Sequence, residues 1–295
     1  MIQNKTIASR VFDVCNYIIL AILAISCLYP LWYTFCVSVS TKEAVSAGWV
    51  TMYPIGFNGN SYDFVMGDDA FWKAFLVSVQ RVVYGTVFTM VVIIMMAYPL
   101  SKNKREYKPR NAFMWLLIFC MLFNGGTIPW FITVKNYGML DTMAALVLAG
   151  SVPVFNVILL MNFFRNLPSD LEEAAAIDGA GPWRILWQIV VPCSVPVIAT
   201  VVLFTSVGYW NEFFQGLILM QKAENYPLQT YIKQIVVQIP VGVTLTAEQY
   251  QQLNQNSNKA LEAAKVFIAM VPMLVIYPFL QKYFVNGITL GAVKE

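Results

Sequence analysis

Six long apolar stretches of this chain carry no charge: residues 14–40, 82–101, 111–134, 142–164, 185–211 and 266–281. Each of the first five is long enough to supply the ~20 apolar residues a helix needs to cross ~30 Å of hydrocarbon. The sixth is shorter and contains Pro272 and Pro278. A start near Leu261, with Lys265 snorkelling outward, would give it the required length. The pattern predicts an all-α polytopic membrane protein with six transmembrane helices. The first stretch exceeds the 7–15 residues of a signal-peptide apolar region and runs on past Cys27, so it is expected to stay as an anchor.

An even number of spans puts both termini on one side. The connection 101–110 carries Lys102, Lys104, Arg105, Lys108 and Arg110 against Glu106, and the leader carries Lys5 and Arg10. The positive-inside rule makes both of these segments cytoplasmic, together with both termini and the loop 165–187. Segments 39–71 and 220–260 then face outward, and a short helix is expected at 246–255 within a Gln/Asn-rich stretch. Tyr62, Trp72, Trp130, Tyr226 and Tyr231 lie near the outer ends of spans, where an interfacial aromatic belt is expected; sugar stacking is the sharper reading. The organisation expected is a leader, first helix and outward loop over 1–70, a core transmembrane domain over 71–285, and a cytoplasmic tail over 286–295.

Composition narrows the class. Hydrophobic residues make up 58% of the chain and charged residues 12%, against about 25% charged in soluble domains. A net charge of +3 with no basic stripe argues against a nucleic-acid partner. The absence of His excludes His-based acid–base catalysis, a Ser-His-Asp triad and His-ligated metals. No catalytic residue and no metal site is assigned. Cys15, Cys27, Cys36, Cys120 and Cys193 all fall in charge-free runs without C-x-x-C spacing, and are read as small buried packing residues. No G-x-x-x-x-G-K-[ST] phosphate loop occurs in the 295 residues, so no cofactor is expected in this chain.

The one polar loop with a spaced pattern is 165–187, running into the fifth charge-free stretch. Glu173-Ala174-Ala175, Gly179, Ile189 and Pro192 read EAA-x3-G-x9-I-x-x-P. Ser169 and Glu172 have capping-box spacing after Pro168. Asp170, Glu172 and Glu173 suit the positive end of a helix dipole, and Ala174 to Ala176 are strong helix formers. Gly179 is the natural stop, and Pro182 suits the first turn of the next helix. A helix over about 170–178 is predicted, then a sharp turn and a helix re-entering the membrane. Its small alanines offer a surface that another protein can approach closely, with Glu173 for a charge-assisted contact.

This pattern resembles the EAA loop of the permease subunits of bacterial ABC importers. One departure is Val191, where that family usually has Leu before the proline. The likeness continues through GYWNEFF at 208–214, Tyr226-Pro227-Leu228-Gln229, GMLDTMAALVLAGSVPVFNVILLMNFFR at 138–165 and the ending YPFLQKYFVNGITLGAVKE. These segments resemble the maltose-type carbohydrate uptake family. They are most similar to its members paired with lipoprotein binding proteins for oligosaccharides or polysaccharide fragments.

The resemblance implies the type I importer permease fold in a bacterial cytoplasmic membrane. It also implies a second homologous permease forming a heterodimer, two ATPase subunits binding ATP and Mg, and an extracellular binding lipoprotein delivering carbohydrate. It assigns ATPase coupling to Glu173, Ala174, Ala175, Asp178, Gly179, Ile189 and Pro192. It also suggests that the tail Gly291, Ala292, Val293 and Lys294 reaches the ATPases. Candidates for the substrate pathway are the polar and aromatic residues Asn124, Asn156, Tyr209, Trp210, Asn211 and Glu212. For each Asn the competing reading is a helix–helix hydrogen bond. Glu212 could bind substrate or pair with Arg81 or Lys222, and Arg81 could simply snorkel. Pro192 and Pro196, with Gly208 beyond them, are expected to kink the fifth span. An importer of amino acids or peptides, a secondary transporter and an intramembrane enzyme are the rival classes. The last two lack the charged midplane residues or catalytic groups they need.

Overall fold

The computed structural model describes residues 7–150, 152–237 and 259–292, and these are mostly helical, with no strand among them. The helices are α1 (Ile7–Ser38), α2 (Lys42–Ser46), α3 (Asn60–Met66), α4 (Asp69–Ser101), α5 (Arg110–Leu122), α6 (Thr127–Asn136) and α7 (Met143–Leu148). There follow α8 (Val154–Arg165), α9 (Ser169–Ile177), α10 (Pro182–Cys193), α11 (Val195–Asn211), α12 (Phe214–Leu219), α13 (Leu228–Val237) and α14 (Lys259–Ala292). Contacts divide the chain into two units, Met1–Asp69 with Ile235–Val271, and Ala70–Gln234 with Pro272–Glu295.

In the first unit, α1 leaves its apolar side chains exposed along nearly its whole length, and only its last turns are packed. There Cys36 and Val37 join Ala44, Val45, Val50 and Ala260 in a small core. Lys265 does not snorkel. It is buried, and its Nζ meets Asp68 Oδ2 at 2.6 Å, because a neighbouring carboxylate satisfies the ammonium without a route to water. The Tyr62 hydroxyl bonds Ser38 Oγ at 2.7 Å, and burial pushes the Tyr62 phenol up from its ordinary range.

The second unit holds the larger core. Its spine is α4, 33 residues and therefore roughly 50 Å long. The helix begins well before the charge-free run at 82, since Lys73 and Arg81 do not interrupt helical periodicity. Its buried stripe recurs every three or four residues: Phe71, Ala74, Ser78, Arg81, Gly85, Thr89, Ile93, Ala97 and Leu100. After Phe71 the stripe is polar or small as far as Thr89, and apolar beyond it. The apolar part packs with Leu117, with Val157, Leu160 and Phe164 of α8, and with Ile185, Leu186, Val197 and Val201.

Three charge-free runs are not single helices. Run 111–134 folds as α5 and α6, bent by 114°, because Gly126 takes φ +87° and Asn124 Oδ1 accepts its N–H at 2.9 Å. Run 142–164 breaks around Gly150 and Pro153 into α7 and α8. Run 185–211 bends by 84° between α10 and α11. Pro192 and Pro196 flank that bend, each without an N–H for the preceding turn, and Leu186–Val190 widens into a π-helical turn. Among the described residues, two helices are long and apolar enough to cross a membrane unaided, α1 (from Ser9) and α4, or four spans if each bent pair counts as one. The last apolar run lies inside the 34-residue α14.

The cysteines also depart from expectation. Cys36 is buried, but Cys15, Cys27, Cys120 and Cys193 are exposed on the chain: an apolar, charge-free stretch marks what avoids water, not what is covered by the same chain. The expected helix at 246–255 lies outside the described residues.

Candidate functional site

The loop pattern and the pathway candidates define two places, both in the second unit. The first is α9 and its turn. The helix spans Ser169–Ile177, within a residue of the boundaries expected. It ends in a Schellman turn: the Ala180 N–H donates to Ala175 O at 2.9 Å, and the Gly179 N–H to Ala176 O at 3.1 Å. This closure needs a left-handed residue, and Gly179 has φ +80°. Asp178 caps the helix and is exposed.

The capping box does not form. Pro168 occupies the cap position, and Ser169 Oγ reaches only the neighbouring Asp170 carboxylate at 3.5 Å. Glu172 is drawn elsewhere: its Oε2 pairs with Lys102 Nζ and accepts from the Tyr98 hydroxyl at 3.5 Å. A cation one residue beyond the end of α4 outcompetes a backbone N–H that water can satisfy.

The three residues of the EAA triplet face different ways. Ala175 is buried in the large core, and Ala180 packs beside it. Glu173, Ala174 and Ala176 are exposed, and so is Ile177, at 86%. Glu173 and Ile177 stand at i and i+4 and share a face, so the helix presents a carboxylate beside an uncovered aliphatic residue. The sequence reading missed Ile177, although an apolar residue four positions after Glu173 on a polar loop was a readable signal. Ile189 lies in the π-helical turn, half-buried against the core, and Pro192 is exposed just before the bend. At the bend itself, the buried Ser194 hydroxyl has no hydrogen-bond partner.

The second place is a cavity of about 240 Å³ lined by Arg81, Thr89, Gly150, Pro153, Asn156, Phe204, Thr205, Gly208, Tyr209, Glu212 and Gln215. Arg81 is fully buried and does not snorkel. Its Nε donates to Leu146 O at 3.2 Å and its Nη1 to Glu212 O at 2.9 Å. Its Nη2 meets Glu212 Oε2 at 3.0 Å and also the Gln215 side-chain oxygen. Glu212 meanwhile accepts the N–H groups of Phe214 at 2.8 Å and Gln215 at 3.0 Å, starting α12. The guanidinium sits 5.7 Å from the Tyr209 ring centroid. The Tyr209 hydroxyl donates to Val147 O at 3.0 Å and lies 2.9 Å from Thr89 Oγ1. Gly85 lets α4 approach that ring, since a Cβ there would lie 2.7 Å from it.

Of the six pathway candidates, Asn156, Tyr209 and Glu212 line this cavity, with Asn156 donating to Thr205 Oγ1 at 3.2 Å. Asn124 instead holds the α5–α6 turn. Trp210 is buried against Phe75, ring to ring at 5.8 Å, and Asn211 is exposed at the end of α11. Arg81, as a lining group, and Thr89, Thr205 and Gln215 were not singled out for the cavity. The polar spacing Ser78–Arg81–Gly85–Thr89 on one helical stripe was the signal available. Trp130 donates to Ala149 O at 2.9 Å, so its indole N–H is used within the chain. Gly291 and Ala292 fall in the last turn of α14, and Val293 and Lys294 lie outside the described residues. Among the described residues, no cluster of His, Cys, Asp or Glu could hold a metal.

Similar proteins match nearly the full length of this chain. Protein LplC of Bacillus subtilis (strain 168) is 38% identical over 292 residues, 99% of this chain and 98% of that protein. The polygalacturonan/rhamnogalacturonan transport system permease protein YtcP of the same organism is 36% identical, covering 97% of this chain and 99% of its own. A chain from the crystal structure of a bacterial ABC transporter involved in the import of the acidic polysaccharide alginate superposes with a TM-score of 0.85. It is 32% identical and covers 95% of this chain and 99% of its own. Residues 3–290 match the model of binding-protein-dependent transport system inner membrane components, and the chain belongs to that family.

Proposed function

We propose that this chain is a permease subunit of an ATP-driven importer that moves carbohydrate, in oligosaccharide form, across the bacterial cytoplasmic membrane. The observation that carries the reading is the exposed Glu173–Ile177 face of α9, in a chain of this family. A short helix anchored on its inner side by Ala175 and bare on its outer side is built to be gripped by a second protein. The names of YtcP and of the alginate transporter support carbohydrate as the cargo, as does the Trp210-Asn211 segment.

In this reading six spans place both termini, the 101–110 connection and α9 in the cytoplasm. A homologous permease completes the channel, two ATPase subunits bind ATP and Mg beneath it, and an extracellular binding protein supplies the sugar. Glu173, Ala174, Ile177, Asp178 and Gly179 form the ATPase grip, and Ile189 and Pro192 set the angle of α10. Asn156, Tyr209 and Glu212 border the substrate path. ATP closure of the ATPases displaces α9, and the permeases exchange inward- and outward-facing packings, each nucleotide state favouring one of them.

The test is uptake of a mono- to oligosaccharide panel by liposomes holding the whole complex, with wild-type and Glu173→Ala permease in parallel. ATP-dependent uptake of one oligosaccharide by wild type, lost in a Glu173→Ala variant that still inserts normally, is the expected result. Wild-type uptake by the variant would remove Glu173 from the grip. Transport of an amino acid and no sugar would overturn the cargo.

A further inference from the structure

Glu172 and Glu173 are neighbours on α9 and point about 100° apart. Glu173 faces outward, whereas Glu172 turns back to the end of α4, where it pairs with Lys102 and receives the Tyr98 hydroxyl. Lys102 Nζ lies 4.5 Å from the centroid of the Tyr98 ring. Both charged side chains are about four-fifths shielded, at 20% and 23% exposed, which sets this pair apart from freely solvated surface pairs. Ala175 with Ala180 supplies the apolar attachment of the coupling helix to the chain. A helix held by small apolar contacts alone can roll about them, and an ion pair on its flank fixes the roll.

The other partner of that pair stands at one end of a long rod. From Arg81 to Ser101, α4 is unbroken helix, roughly 30 Å in length. At the other end of that stretch, Arg81 grips the Glu212 carboxylate, the Glu212 carbonyl and Gln215 at the start of α12. The same helix therefore carries one charged contact to the coupling helix and another to the wall of the cavity.

We propose that Lys102 and Glu172 are positioning residues for energy coupling: their ion pair orients α9 and passes its displacement into α4, and so to the Arg81–Glu212 wall of the cavity. This rests on the function proposed above, and extends the coupling machinery to a lysine outside the EAA pattern. Pro99, one turn before Lys102, has no N–H for the carbonyl of Met95, so the pull of Glu172 acts on a turn with one backbone tie fewer.

The test uses the complete importer, purified through a tag on this chain, with native cysteines replaced by serine and a Gly208→Cys reporter in the cavity wall. A Cβ at Gly208 meets no atom within 4 Å. Reporter labelling by an impermeant maleimide is compared with and without ATP, alongside the amount of ATPase retained. With the pair intact, ATP is expected to change the labelling rate several-fold. Lys102→Glu and Glu172→Lys should each abolish that change while keeping the ATPase bound. Lys102→Arg should retain the change, and the exchanged pair Lys102→Glu/Glu172→Lys should restore most of it. The proposal is overturned if the single reversals respond to ATP like the reporter alone, if the exchanged pair behaves no better than the singles, or if the unmutated reporter binds ATPase yet shows no ATP response. A reporter chain that captures no ATPase overturns the proposed function and this inference with it.

Discussion

The α9 loop and the cavity are built on opposite principles. The loop is local: its helix, its Schellman turn and its positive-φ glycine are complete within residues 168–182, closed by bonds that span at most five positions. The cavity is assembled from afar. Arg81 reaches Leu146, Glu212 and Gln215, and Tyr209 reaches back to Thr89 and Val147. The loop leaves the Glu173 carboxylate bare, whereas the cavity buries its guanidinium completely and satisfies it with four acceptors. A local, bare site trades little stability against function; a distant, buried one cannot be altered without altering the fold.

The sharpest break of that comparison is at Arg81. Arg81→Leu leaves Glu212 and Gln215 facing an apolar wall, and should destabilise the permease by about 3–5 kcal/mol, as loss of one partner from a buried ion pair does. Thermal unfolding in detergent would register this, and Arg81→Leu/Glu212→Leu should recover part of it. Next is Gly85→Ala, where the added methyl must displace the Tyr209 ring; overpacking of this kind costs about 1–3 kcal/mol, read in the same assay. In the loop, Gly179→Ala forces a left-handed alanine, worth about 1–2 kcal/mol locally, and should disturb ATPase retention more than the melting temperature. Ile177→Ser should leave melting within about 0.5 kcal/mol of wild type while reducing the ATPase that co-purifies.

The smallest effect concerns Asp141, which has φ +60° and accepts the N–H groups of Gln221 and Lys222 at 3.1 and 3.2 Å. The Asn225 amide and these backbone donors hold its carboxyl below the ordinary 3.8. Its contribution is therefore complete above that value and fades as pH falls through the lower folded one. Asp141→Asn should flatten that acid limb of the unfolding profile without changing stability's pH dependence near neutrality.

The same contrast explains what could be read in advance. Propensity, dipole and glycine arguments located α9 and its stop to within a residue, because every force involved acts along the chain. They failed at Ser169, where the expected capping box lost Glu172 to Lys102, a partner 70 positions away. Hydropathy found the apolar stretches but not the breaks at Gly126 and Pro153, which look harmless in an averaged profile and decisive in a backbone; the bend beside Pro192 and Pro196 was expected, because interior prolines remove helix N–H groups. Hydropathy also took apolar cysteines for covered ones. The polar stripe through Ser78, Arg81, Gly85 and Thr89 was written in the sequence, yet its partners on α7, α11 and α12 were not adjacent to it, so its meaning waited on the packing.

A shape carried by consecutive residues has a further property. The turn that ends α9 asks little of the rest of the chain beyond a seat for Ala175 and Ala180, and it touches none of the groups around Arg81. It is a cassette, one whose shape can persist while the residues around Arg81 drift on their own course.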